Sequence, residues 1–286
     1  MNTKKVGGTR IGIIGVGNIG SSILRGLLAA DTATSRERVF ISDATREHLK
    51  YFESDPELKS RVEVCESNEA LVRHSAVIIL AVKPNIVKTV VEEIAPFMTV
   101  EKILISVAAG VLTKTIEDYL GEGKKVVRVM PNIGAQVRES VSAICRGRYA
   151  EPGDEELAKG VLSVIGSVYS VSECDMDVIT GLSGSGIAFF AAVIDAMADG
   201  GVYEGLPRDL ALTISAKTAL GAAKMVLAGD TPSEIKAMTA SPGGTTIRGL
   251  YAMDTGGVKA AMMQAVIVAT ARAAEISRMG RNTDEK

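Results

Sequence analysis

The chain has 286 residues, 47% of them hydrophobic and 23% charged, with a formal net charge of -2. That composition makes it globular rather than disordered, with length for one large domain or two ordinary ones. The near-zero charge gives no reason to expect nucleic acid or an acidic membrane surface as a partner.

The three cysteines, Cys65, Cys145 and Cys174, share no CxxC spacing, and His48 and His74 lie in polar surroundings. Reduced thiols in a cytoplasmic protein without a metal centre is the reading this supports. The start, MNTKKVGGTR, is basic but lacks the apolar core of a signal peptide. The most apolar C-terminal stretch, between Lys259 and Arg272, contains Gln264 and is shorter than the roughly 20 apolar residues that span a bilayer. No membrane partner is expected.

In chain order, the first expected strand is 10–14, stopped by glycine. A helix over 19–30 follows, with Ile23, Leu24, Leu27 and Leu28 at helical spacing. Strands are expected at 39–42, 62–65, 76–82, 103–107 and 125–130. Helices are expected at 47–52, 68–73 (with Ser67 as N-cap), 85–95 and 113–120. The run AVIILAV at 76–82 is continuously apolar, as a strand buried on both faces should be. This alternation predicts βαβ units in a doubly wound parallel sheet. A further strand at 141–146 extends it, and a helix over 155–165 follows the turn EPGD. Beyond residue 170 strand signals almost disappear. Helices are expected at 187–204, 208–227, 232–239, 245–253 and 257–279, dense in alanine and glycine that permit close packing. The expected organisation is an N-terminal dinucleotide-binding domain, 1–170, followed by an all-α domain, 171–286.

Gly15-Val16-Gly17-Asn18-Ile19-Gly20 is a GxGxxG set between an expected strand and an expected helix, the context a dinucleotide site requires. Gly15 serves the tight turn, Gly17 the approach of the pyrophosphate, and Gly20 the packing of helix on sheet. The helix N-terminus supplies unpaired N–H groups for the phosphates. Asp43 stands 23 residues after Gly20, where an acid binds the adenosine ribose and favours NAD(H), unless it is only a turn or cap residue. Arg46 stands where it can pair with the 2′-phosphate of NADP(H) instead. Ala81-Val82-Lys83-Pro84 and Ser106-Val107-Ala108-Ala109-Gly110 close the fourth and fifth strands and should border the cofactor. Lys83 reads as positional rather than as a proton donor. Ser241-Pro242-Gly243-Gly244-Thr245-Thr246 precedes a helix. It is either an anion site of backbone N–H groups and hydroxyls, suited to a carboxylate, or an ordinary capped turn.

Taken together, these segments resemble the pyrroline-5-carboxylate reductase family through nearly the whole chain. The pieces are GVGNIG at 15–20, AVKP at 81–84, SVAAG at 106–110, RVMPN at 128–132, GLSGSG at 181–186, DAMADGGV at 195–202, GAAKM at 221–225 and SPGGTT at 241–246. SPGGTT together with GLSGSG is the most specific of these. The resemblance implies a Rossmann domain and a helical dimerisation domain, with hydride transfer from NADP(H), or NAD(H), to the C=N bond of a small cyclic imino acid, giving proline. It implies a homodimer or higher homo-oligomer with an active site shared between subunits. By position, Ser241, Gly244, Thr245 and Thr246 would hold the substrate carboxylate. Thr246 would also bond the ring nitrogen as the closest catalytic contact. Glu173 would lie near the substrate and Asn68 near the adenosine. The chain departs from the family pattern at Ile133, Gly134, Ile187 and Met238, where a change of substrate would be written. The rival readings are another reductase of the β-hydroxyacid dehydrogenase-like superfamily, for which Lys217 and Lys224 are available as a catalytic lysine, and a non-catalytic dinucleotide sensor.

Overall fold

The computed structural model describes residues 9–30 and 38–282, so the features read at the extreme N-terminus lie outside it. Its strands and α-helices run β1 (Ile11–Ile14), α1 (Asn18–Ala29), β2 (Val39–Ser42), α2 (Arg46–Ser54), α3 (Pro56–Lys59), β3 (Val62–Val64), α4 (Asn68–His74), β4 (Val77–Leu80), α5 (Val87–Ile94), β5 (Ile103–Ser106), α6 (Thr113–Leu120), β6 (Lys125–Met130), β7 (Ser140–Arg146), α7 (Pro152–Leu162), β8 (Gly166–Ser170), α8 (Met176–Ile179), α9 (Gly186–Tyr203), α10 (Arg208–Ala228), α11 (Pro232–Thr239), α12 (Thr245–Thr255) and α13 (Val258–Asn282).

The strands form one sheet in the order β3-β2-β1-β4-β5-β6-β7-β8. Neighbours are parallel except β6 and β7. Strands β1, β2, β4 and β5 are each four residues long and buried throughout. Their continuous apolar runs are what a strand covered on both faces needs. The pleat sends alternate side chains to opposite layers. Ile13, Ile41, Ile79, Ile105 and Val127 pack with Ile23, Leu24 and Leu27 of α1 and Leu157 and Val161 of α7. Ile78, Leu80, Leu104 and Val126 pack on the other side with Leu71 and Val72 of α4, Val91 and Ile94 of α5, and Ile116 of α6. The expected Rossmann sheet is therefore present. The strand at 141–146 extends it antiparallel to β6, as β7.

The described chain falls into two compact units. One comprises the residues up to Gly184 together with those from Thr270; the other is Ser185–Ala269. The second unit is wholly helical. In it α9 packs on α10, and a Cβ built on Gly201 would lie 3.1 Å from that of Ala211, so the glycine sets how closely the two helices approach. The guanidinium of Arg208 bridges Asp195 and Asp199. A capping box at Thr231 and Glu234 starts α11, and Gly229, at φ 116°, ends α10 in the left-handed region that glycine tolerates.

Candidate functional site

The strand order reverses between β1 and β4, the switch point at whose carboxyl side ligands bind in an open α/β sheet. The loops there are tied together by backbone bonds: Gly15 N to Ser42 O at 2.8 Å, Ala81 N to Ile14 O at 2.8 Å, and Val107 N to Leu80 O at 3.1 Å. The glycines divide the work. Gly15 has φ 92°, and a Cβ there would lie 2.6 Å from Ala81 O. A Cβ on Gly20 would lie 2.0 Å from Gly15 O. These two are therefore demanded by the fold. A Cβ on Gly17, by contrast, would meet nothing within 4 Å. The space beside Gly17 is open. Helix α1 begins there with no side-chain cap and no acidic residue in its first turn. Uncapped N–H groups facing open space are what a dinucleotide pyrophosphate needs, so the site fits that group. Val16 is buried, Asn18 exposed and Ile19 half-buried.

Asp43 is half-buried just after β2. Its Oδ2 accepts from Val16 N at 2.7 Å and its Oδ1 from Thr45 N at 2.7 Å. Burial pushes this carboxyl up, but the N–H groups of Thr45 and Val16, with the His48 ring, outweigh it and hold it below the usual carboxylate range. Arg46 is exposed in the first turn of α2. Asn68 is pinned from two sides: its Oδ1 accepts from Ser42 Oγ at 2.7 Å, and its Nδ2 donates to Glu93 Oε2 at 3.0 Å. Ala81 and Val82 are half-buried, while Lys83 and Pro84 are exposed. Ser106 and Ala108 are buried and Ala109 is half-buried. A mostly apolar cavity of about 390 Å³ opens beside these loops, lined by Pro84, Lys88, Ala109, Tyr119 and Ile276 among others.

Glu173 is already engaged. Its Oε1 accepts from Thr113 N at 2.8 Å and from Arg128 Nη1 at 3.2 Å, and its Oε2 accepts from Thr113 Oγ1 at 2.9 Å. Arg128 is 1% exposed. Leu112, the N-cap of α6, supplies no side-chain bond, so Glu173 caps that helix from a distance of 60 residues. It thereby anchors the loop that carries residues 106–110.

RVMPN and GLSGSG also meet. Asn132 Nδ2 donates to Ser183 Oγ at 2.9 Å, and Asn132 Oδ1 accepts from Gly134 N at 3.0 Å. Residues 180–184 form a single π-helical turn, a form frequent at functional sites. A Cβ on Gly134 would lie 2.7 Å from Glu139 O, so this departure from the family pattern answers to the turn. Ile133 is 40% and Met238 63% exposed, and Ile187 is half-buried.

In the second unit, Gly243 has φ 71°, and Gly244 N donates to Ser241 O at 3.0 Å. Gly244 is the N-cap of the eleven-residue α12, with no side-chain cap and no acid in the first turn. Thr245 is exposed and Thr246 half-buried. A Cβ on Gly244 would lie 2.3 Å from Ser241 Oγ.

The helices here expose several large apolar side chains. Phe190 is 64%, Tyr203 88%, Leu210 48%, Ile214 48% and Leu227 84% exposed. By length and composition alone, Glu173–Tyr203 and Arg208–Ala228 are apolar enough to cross a membrane. Residues 173–276 match the family model described as pyrroline-5-carboxylate reductase dimerisation. A relative named pyrroline-5-carboxylate reductase from Methanosarcina acetivorans is 45% identical over 270 residues, covering 94% of this chain and 98% of its own. The chain belongs to the pyrroline-5-carboxylate reductase family.

Within that family, the Pisum sativum reductase is 38% identical, with 93% of this chain and 96% of the relative covered. The structure of the Coxiella burnetii reductase superposes with TM-score 0.86 at 29% identity, covering 96% of this chain and 99% of that one. The Plasmodium falciparum reductase, solved with NADP bound, gives TM-score 0.83 at 29% identity over 94% and 98% of the two chains. Residues 10–110 match the model described as NADP oxidoreductase, coenzyme F420-dependent. The chain is an oxidoreductase, and its helical region is one through which this family assembles homo-oligomers.

Three features escaped the sequence reading. His48 Nδ1 lies 3.1 Å from Asp43 Oδ2; the spacing of five residues from strand end to helix was its only signal. The Asn132–Ser183 bond and the Thr113–Glu173–Arg128 set join residues 51 and 45–60 positions apart, which no local pattern marks.

Proposed function

We propose that the chain reduces the C=N bond of 1-pyrroline-5-carboxylate to L-proline with NADP(H), NAD(H) serving less well. The observation that carries this reading is the N-terminus of α12. There a glycine at positive φ and a second glycine as N-cap leave first-turn N–H groups uncapped beside two threonine hydroxyls. Such a turn suits a small carboxylate. A nicotinamide, when bound, supplies the hydride. The chain's own task is then to orient and to stabilise charge. Ser241, Gly244, Thr245 and Thr246 receive the substrate carboxylate. Thr246 bonds the ring nitrogen, which carries the proton that makes the adjacent carbon electrophilic. Gly15, Val16, Gly17, Asn18, Ile19 and Gly20 hold the pyrophosphate. Asp43, Arg46 and Asn68 lie toward the adenosine. Ala81–Pro84, Ser106, Ala108 and Ala109 border the nicotinamide. Glu173 bears on the substrate side by anchoring α6 and the loop before it.

The reading extends to assembly. Large exposed apolar side chains mark an interaction surface, and α9 and α10 expose Phe190, Leu210 and Ile214. A second copy of this chain covers it, in preference to lipid, and each active site combines the dinucleotide loops of one subunit with the 241–246 loop of its partner. The division of labour is at residues 170/171, and the enzyme works in the cytoplasm. A steady-state assay of NADPH and NADH oxidation, with pyrroline-5-carboxylate set against other cyclic imines and 2-oxo acids, tests the reading. Preference for a 2-oxo acid would replace it with a hydroxyacid dehydrogenase, and cofactor binding without turnover of any of these would leave a sensor.

A further inference from the structure

An acid at the end of the second Rossmann strand ordinarily accepts hydrogen bonds from the adenosine ribose, and its charge repels a phosphate on the 2′ oxygen. In this chain the carboxylate of Asp43 has other work. Val16 N and Thr45 N each donate to it at 2.7 Å, and the ring of His48 stands 3.1 Å from Oδ2. The Asp43 side chain is 10% exposed, whereas that of His48 is 46% exposed. What the surface presents at this point is therefore the imidazole, with the carboxylate drawn in behind it against the glycine loop. His48 sits in the first turn of α2, beside Glu47 and two residues after Arg46, both exposed. Across from them Asn68 is held by Ser42 and Glu93, so its amide is not free to swing toward Asp43.

We propose that His48 is a specificity-determining residue for the cofactor: by holding Asp43 as a brace on the glycine loop and standing in front of it, it makes this end of the site accept a 2′-phosphate and so sets a preference for NADPH over NADH. This rests on the reading of residues 15–20 as a nicotinamide dinucleotide site. Asp43 then acts on the loop rather than on the ribose. Removing its charge weakens both cofactors together instead of favouring the phosphorylated one.

Fluorescence titration at pH 7.5 with NADPH and with NADH, on the full-length oligomer, decides this. Wild type is expected to bind NADPH more tightly. His48→Ala should lower NADPH affinity about 5-fold, the scale of one hydrogen bond to the phosphate, with NADH changed by less than about 2-fold. His48→Glu places a carboxylate in the same exposed position and should reverse the preference. Asp43→Asn should weaken both nucleotides by similar factors. An unchanged NADPH to NADH ratio in both His48 variants, with melting temperatures showing them folded, overturns the proposal. So does a gain in NADPH relative to NADH in Asp43→Asn. Failure of wild type to bind either nucleotide would instead bring down the dinucleotide reading itself, and this inference with it.

Discussion

The two units solve the problem of apolar surface in opposite ways. In the sheet unit, Ile13, Ile41, Ile78, Ile79, Leu80, Leu104 and Ile105 are all sealed between helices, each at most 0% exposed. In Ser185–Ala269, the fully buried side chains are small, such as Ala198 and Ala211, while large ones such as Phe190, Leu210, Ile214 and Leu220 stand open. What differs is the pattern: strand runs bounded by turns bury themselves within one chain, whereas the helices of Ser185–Ala269 leave large apolar side chains exposed.

Several substitutions would break or sharpen that contrast. The largest effect is expected from a charge placed on the open helical surface. Phe190→Asp should abolish the oligomer in light scattering, while Val137→Asp, at 73% exposure in the sheet unit, should leave it intact. An unaltered oligomer in the first, extended to Ile214→Asp, would mean that this surface is covered by something else.

Next comes the glycine loop. Gly17→Val has room for its side chain in the fold and should melt like wild type, yet weaken NADPH by at least about 100-fold in fluorescence titration. Gly20→Ala, whose Cβ would press on Gly15 O, should instead lower stability, by about 3 kcal/mol in urea unfolding. Equal melting of the two variants would show that the loop does not distinguish fold from site as the geometry says.

Thr246→Val should keep cofactor affinity and lower kcat/KM roughly 10–100-fold, the scale of one hydrogen bond made in the transition state. Mixing Gly17→Val with Thr246→Val subunits sharpens this. If the site draws its loops from two chains, heterodimers hold one intact site and recover about half of wild-type activity. If each chain serves itself, verified heterodimers stay as impaired as the single variants.

The smallest change concerns Glu173. Glu173→Gln keeps an acceptor for Thr113 but removes the charge facing the buried Arg128, and should cost about 2 kcal/mol of stability. If the residue acts by positioning α6, KM for the imino acid should move more than kcat. A loss confined to kcat would return Glu173 to direct contact with the reacting atoms.

Much of this was legible in the sequence because the signals were local. The strand at Val39–Ser42, the helix at Thr113–Leu120 and the helix at Pro232–Thr239 fall at the expected residues, and Ser67 accepts from Ala70 N at 3.1 Å as the N-cap it was read to be. β8 went unread because only one of its faces is covered and its five residues, GSVYS, show no apolar run. The π turn at 180–184 went unread because its glycines and serines spell a loop. The division at 269/270 falls inside the unbroken helix α13, where composition does not change. Of the site, the loops were visible as motifs. The braces behind them, Asp43 on Val16 and Glu173 on Thr113, were invisible because a carboxylate's partner depends on the fold that brings it near.

If a second copy covers the open face of α9 and α10, as proposed, the protein's stability becomes a matter of mass action. A surface completed only by another copy adds the association equilibrium to the folding free energy, so the melting temperature rises with protein concentration. Each tenfold dilution removes about 1.4 kcal/mol per mole of dimer. Part of what holds this fold together would then lie outside the single chain, in how many of its own kind are dissolved around it.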